Sequence, residues 1–111
     1  MLIVNNDGSI ELTRGDTARL TVTIADETGQ PYEMLDTDIL TLSVKKSVND
    51  DEPCIQKSVT GTNIFVIKPS DTAGLSFGKY IYDVELSISE DDVYTIIEKT
   101  SFKIREEVTT R

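Results

Sequence analysis

Apolar residues in this chain recur at every second position, in segments rich in Val, Ile, Thr and Tyr, which is the signature of half-buried strands rather than helices. Ala18, Leu20, Val22 and Ile24 alternate with Arg19, Thr21 and Thr23, which predicts one buried face and one that meets water. Leu40, Leu42 and Val44 repeat the pattern. Tyr80, Tyr82, Val84, Leu86 and Ile88 form the longest clean run, alternating with Ile81, Asp83, Glu85 and Ser87. Ile10 to Leu12 opens the series, Cys54 to Val59 is a weaker strand, and Ile64 to Ile67 is apolar on both faces and is expected in the deep core. Val93 to Ile97 and Phe102 to Ile104 flank Glu98-Lys99-Thr100-Ser101, which predicts one long last strand bent by a bulge.

Turn residues punctuate these runs. Asp26-Glu27-Thr28-Gly29-Gln30-Pro31 combines a Gly that tolerates positive φ with a Pro that cannot extend a ladder. Asn49 to Pro53, Thr60 to Asn63 and Ser89 to Asp92 read in the same way. Pro69 to Leu75 is the one helical element, a single turn with Ser70 or Asp71 as its N-cap and Gly74 as its terminator. About seven strands joined at intervals of about 8 to 12 residues predict an all-β fold, an immunoglobulin-like antiparallel β-sandwich with Greek-key connections. A small β-barrel is the alternative, because alternation does not separate one curved sheet from two packed ones. The expected organisation is an N-terminal strand or arm over residues 1–9, the sandwich over 10–105 and a frayed tail over 106–111.

The chain has 111 residues, which suits one domain. Its 20 acidic and 11 basic residues give a formal charge of -9, which argues against a partner that must have many phosphates neutralised. No nucleic-acid partner is expected. With no His, the most frequent metal ligand and the side chain best suited to proton transfer near neutrality are missing. No apolar run approaches the roughly 20 residues of a membrane helix, and no signal peptide is visible, since Leu2-Ile3-Val4 is broken at once by Asn5-Asn6-Asp7-Gly8. No membrane partner is expected either. The lone Cys54 has no partner for an internal disulfide and no His to activate it, so it reads as a small residue beside a strand.

Arg14-Gly15-Asp16 matches the tripeptide of many integrin ligands, but between two alternating segments it reads better as a tight turn. Asp36 with Asp38, Asn49 to Glu52 and Glu90 to Asp92 could offer oxygen ligands to Ca²⁺, yet none has the spacing of a Ca²⁺ loop, and solvated loop carboxylates are the simpler reading. Tyr80 and Tyr82 share a face with Val84 and Leu86, so they read as core, or as a tyrosine corner whose hydroxyl caps a backbone group near Asp71. Tyr32 and Tyr94 are freer and would serve a protein interface. No catalytic residue, cofactor site or metal site is assigned. Leu2, Ile3 and Val4 are the candidate partner-binding residues, as a strand added to a neighbouring chain, with pairing inside their own domain as the rival reading.

Five motifs occur in a suggestive order: Ile10 to Thr17, Asp26 to Glu33, Val44-Lys45-Lys46-Ser47, Ile67 to Leu75 and Gly78 to Val84. Their succession resembles small prophage structural proteins of Gram-positive bacteria, and in particular the immunoglobulin-like N-terminal domain of phage baseplate upper proteins. The resemblance implies a virion protein, associated with a tail or baseplate, that docks on other phage tail or baseplate proteins and on further copies of itself. Its location would be the virion, or the bacterial cytoplasm during assembly. Larger members continue into a linker and a receptor-facing domain, whereas this chain stops at Arg111, so an adaptor or decoration role is the expectation. The alternative function is a surface adhesin or carbohydrate-binding module.

Overall fold

The alternating segments become strands of two packed sheets in the computed structural model, which describes residues 8–107 and, by their backbone, residues 2–4. In chain order the elements are β1 (Leu2–Val4), β2 (Ile10–Thr13), β3 (Ala18–Thr21), β4 (Ile39–Lys45), β5 (Ile55–Thr60), β6 (Ile64–Ile67), α1 (Pro69–Thr72), β7 (Gly78–Ser89) and β8 (Asp92–Arg105). The large sheet has the order β1-β2-β8-β7-β4-β5, and the small one is the pair β3-β6. β4 leads to β5, and β7 to β8, within the large sheet, while β3 and β6 are reached by crossing between sheets. This is Greek-key connectivity, with β8, β7, β4 and β5 in the G, F, C and C′ places of an immunoglobulin-type sheet and β3 and β6 in the places of B and E.

Two features of this architecture go beyond the alternation. The strands divide unequally, so the small sheet covers only part of the large one. In addition, β2 pairs with β8 in parallel, from Ile10 opposite Phe102 to Thr13 opposite Arg105, while every other strand pair is antiparallel as expected. Side-chain periodicity is two in either kind of ladder, so strand direction leaves no mark on the pattern.

The core lies between the sheets and is made of the residues that the alternation places inward. Ile10, Leu12, Leu40, Leu42, Val44, Val84, Phe102 and Ile104 from the large sheet meet Leu20, Val22, Phe65 and Ile67 from the other side. Tyr82 and Phe102 pack edge to face with ring centroids 5.9 Å apart. Only the odd-numbered members of the doubly apolar segment enter the core: Phe65 and Ile67 are buried, whereas Ile64 is exposed and Val66 half-buried.

The long strand β8 is bent where expected. Tyr82 faces Thr100 but Val84 faces Ile97, so β8 carries an extra residue at Glu98-Lys99, and a second irregularity follows at Ile96 between Ile97 and Thr95. α1 begins two or three residues earlier than the sequence suggests. Its N-cap is Lys68, not Ser70 or Asp71; Asp71 sits at the third helical position and its carboxylate accepts the Lys68 N–H at 2.7 Å. Pro69 occupies the first helical position, where its missing N–H costs nothing.

β1 runs antiparallel to β2, with Leu2 opposite Leu12 and Val4 opposite Ile10. Of the segments outside the sandwich, residues 108–111 of the expected frayed tail lie outside the described residues, as do residues 1 and 5–7 of the N-terminal arm. Among the described residues no helix is long and apolar enough to cross a membrane.

Candidate functional site

The molecule measures 44 × 27 × 24 Å, and its two ends are built differently. At one end the β2–β3 turn, the segment after α1 and the C-terminal part of β8 come together. Arg14 joins them. Its guanidinium pairs with Glu107 at 2.9 Å, donates to the Leu75 carbonyl at 3.1 Å and lies 4.3 Å from the centre of the Phe77 ring. A planar guanidinium can serve all three partners at once, which an ammonium cannot. Next to it, Gly15 has φ +87° and donates its N–H to the hydroxyl of Thr72, which is fully buried. The Arg-Gly-Asp tripeptide is therefore a structural turn. Its Arg is held against its own domain, and Gly15 has the backbone geometry that Gly adopts without strain.

The tyrosine corner forms at the same end. Tyr80, near the start of β7, donates its hydroxyl to the Ser76 carbonyl four residues upstream at 2.9 Å. Tyr82 donates to the Gly8 carbonyl instead and ties the approach to β2 onto β7. Of the three acidic clusters, Asn49 to Glu52 lies in the β4–β5 loop and is spanned by Lys45, whose ammonium donates to the Asp50 carbonyl at 2.9 Å. Cys54 precedes β5. It is exposed, and its thiol donates to the Val44 carbonyl at 3.2 Å; desolvation raises its pKa above the ordinary value, so the reactive thiolate is disfavoured.

At the opposite end the β7–β8 hairpin projects past the small sheet. β3 stops at Thr21, and the chain continues through Val22 and Ile24 into a connector that leads to β4. A tight turn closes the connector on itself: the Asp26 carboxylate accepts the Thr28 N–H and hydroxyl and the Gln30 N–H at 2.7 to 3.0 Å. These bonds, led by the Thr28 hydroxyl, lower the Asp26 pKa from its ordinary 3.8. Tyr32 then returns towards the sheets and donates its hydroxyl to Asp38 at 2.7 Å, a bond that raises the pKa of the phenol.

Asp38 is fully buried. Its Oδ2 accepts from Tyr32 and from the Leu35 N–H, while its Oδ1 has no hydrogen-bond partner. The Asp36 and Asp38 pair is thus divided, with Asp36 in solvent and Asp38 used to pin the connector. Glu90 to Asp92 sits at the exposed hairpin tip. Among the described residues no group of three or more Cys, Asp or Glu side chains is placed to hold a metal ion.

Where the small sheet ends, the inner face of the hairpin is left partly uncovered. Leu86, Ile88, Tyr94 and Ile96 form the floor of an open cleft of about 370 Å³, and Ile24 and Tyr32 form its wall. Tyr94 is 49% exposed although its strand neighbour Leu86 is buried. On the outer face of the same end, Ile39 and Val93 flank Ser87 on adjacent strands, and both are exposed. Leu35, 59% exposed, stands on the connector four residues before Ile39. This end therefore concentrates accessible apolar surface.

A second hollow, of about 390 Å³, lies on the outer face of the large sheet under the β4–β5 loop, with Lys45, Lys99, Asp83, Glu85 and Gln56 in its lining. Its one aromatic lining residue, Tyr82, is buried with its hydroxyl on Gly8, so this hollow has no ring presented for a sugar to stack on.

Tyr94 and Tyr32, interface material by their sequence setting, both lie at the open end, with Tyr32 half-buried and its hydroxyl engaged. The candidate strand Leu2-Ile3-Val4 lies away from it, on the far edge of the large sheet, where β2 pairs with its backbone. The cleft itself leaves little mark on the sequence, because it results from where the small sheet stops. The one available signal is that Leu86, Ile88, Tyr94 and Ile96 keep to one alternation on either side of the Ser89 to Asp92 turn. No family model, curated protein or solved structure matches the chain.

Proposed function

We propose that this chain is a non-enzymatic structural module that works through protein–protein contacts. The observation that supports this reading is the open end of the sandwich, where an apolar cleft floored by Leu86, Ile88, Tyr94 and Ile96 adjoins the exposed Leu35, Ile39 and Val93. Apolar side chains grouped in this way, with a tyrosine among them, suit the centre of a protein interface better than a solvated loop. The setting we propose, a phage or prophage tail or baseplate with virion proteins as partners, rests on the order of motifs in the sequence.

Mass spectrometry of gradient-purified particles after prophage induction of the source strain tests the setting. The chain is expected at a fixed multiple of a known tail component. Its absence from intact particles, with the protein abundant in the lysate, would remove the virion role. The contact mode is tested separately with a Tyr94→Asp, Val93→Asp variant, which is expected to fold normally and to lose its place in the assembly.

A further inference from the structure

The charge of the chain is not evenly spread. Residues 20–44 carry five acidic side chains and residues 80–98 carry six, and neither stretch contains a Lys or Arg, although the whole chain has 11 basic residues. These two stretches build the connector and most of the β7–β8 hairpin, around the open cleft, although Asp38 is buried and Asp83 and Glu85 line the hollow on the outer face. Asp26 and Glu27 line the cleft, and Glu90, Asp91 and Asp92 follow at the hairpin tip, all exposed. By contrast Arg14, Lys79, Lys103 and Arg105 belong to the opposite end.

An apolar floor inside an acidic rim selects its occupant. Carboxylates around a desolvated patch repel another anion at close range, and they attract and orient a cation. A second copy of this chain brings a further -9 of charge and is disfavoured as the occupant. A cleft of about 370 Å³ has room for more than one aliphatic side chain. Lys and Arg suit the rim because their apolar stems can lie on Tyr94 and Ile88 while their heads reach the carboxylates.

Resting on the interface reading above, we infer that the open cleft receives a segment of a partner protein in which aliphatic side chains are flanked by Lys or Arg. The test uses the full chain, labelled with ¹⁵N, and three short amidated peptides that share a Leu-Ile core and differ only in flanks of Lys, Ser or Glu. The Lys-flanked peptide is expected to shift the amides of Ile24, Tyr32, Leu86, Ile88 and Tyr94 and to bind about tenfold more tightly than the Glu-flanked one. That advantage should shrink as salt rises past about 0.15 M. A Glu27→Lys, Asp91→Lys variant, both positions being exposed, should abolish the preference while keeping the same folded spectrum.

Equal binding of all three peptides at the cleft would overturn the charge selection and leave the interface reading standing. Failure of every peptide to perturb the cleft would overturn both. Sedimentation showing a dimer whose formation protects the same amides would overturn the basic partner and make a second copy the occupant.

Discussion

The two ends of this sandwich use the same kinds of residue for opposite purposes. At the clasped end Phe77 is exposed by 42%, but its ring is covered by the Arg14 guanidinium, whose other bonds go to Glu107 and the Leu75 carbonyl. At the open end Tyr94 and Val93 are exposed to a similar degree, and the charged residues of the cleft and the hairpin tip, Asp26, Glu27 and Glu90 to Asp92, are all carboxylates. One end turns a cation inward to finish its own packing, while the other leaves apolar surface uncovered among anions. Exposed hydrophobics therefore carry different meanings within one small fold, and their polar neighbours decide which meaning applies.

If the difference is one of packing, truncations should separate the ends most sharply. Phe102→Ala removes a fully buried ring that touches Tyr82, and it should cost about 3–5 kcal/mol in chemical denaturation. Tyr94→Ala, on the same strand at the open end, should cost under about 1 kcal/mol, since half the side chain is already in water. Comparable losses at the two positions would mean that the cleft is part of the core.

The clasp can be broken by a smaller change. Thr72→Val keeps the shape but removes the hydroxyl that accepts the Gly15 N–H, at a cost of about 1–3 kcal/mol. Arg14→Lys should lose about 1 kcal/mol, because an ammonium cannot reproduce the fork to Glu107 and Leu75 while covering Phe77. In both variants hydrogen exchange should quicken at Gly15 and Asp16 and stay unchanged in the hairpin tip. Acceleration that spread equally to the tip would show that the two ends unfold as one.

The smallest effect concerns acid. Burial pushes the Asp71 carboxyl upward, but the hydrogen bonds from Lys57 and from the Lys68 N–H outweigh it, and the net pKa lies below the ordinary 3.8. A depressed folded-state pKa contributes stability above the unfolded value, and that contribution disappears as pH falls through the folded one. Asp71→Asn should therefore cost about 0.5–1 kcal/mol at neutral pH, and the gap to the parent should close below pH 3.8. A gap that held constant into acid would assign the effect to the helix turn and not to charge.

Much of the architecture is legible in the sequence because alternation is a local property. Leu40 to Val44 and Tyr80 to Ile88 each state which face is inner, and the bulge near Glu98-Lys99 shows as a break in period. The parallel partnership of β2 and β8 and the unequal sheets are not legible, since both depend on pairing between residues far apart in sequence. The helix start differs from expectation for a local reason. Asp71 is a good N-cap residue by type, but it serves from the third helical position, accepting the N–H of a cap that is itself Lys68. Of the open end, Tyr32 and Tyr94 can be named from the sequence, whereas Asp38 cannot be told from the solvated acids beside it, because its burial comes from the connector folding back through Tyr32.

The parallel pairing of β2 with β8 also sets how the chain would carry a load. A pull on the N-terminal side draws β2 back along its own axis, and a pull on the C-terminal side draws β8 forward along the same line, so the ladder from Ile10–Phe102 to Thr13–Arg105 is strained in shear. Its hydrogen bonds then share the tension together, whereas those of a peeled hairpin break in succession. Stretched end to end in a force spectrometer, this domain should first peel β1 from β2 at low force, then hold until the short β2–β8 ladder slips and open in a single step, while a pull across the β7–β8 hairpin should unzip it at low force.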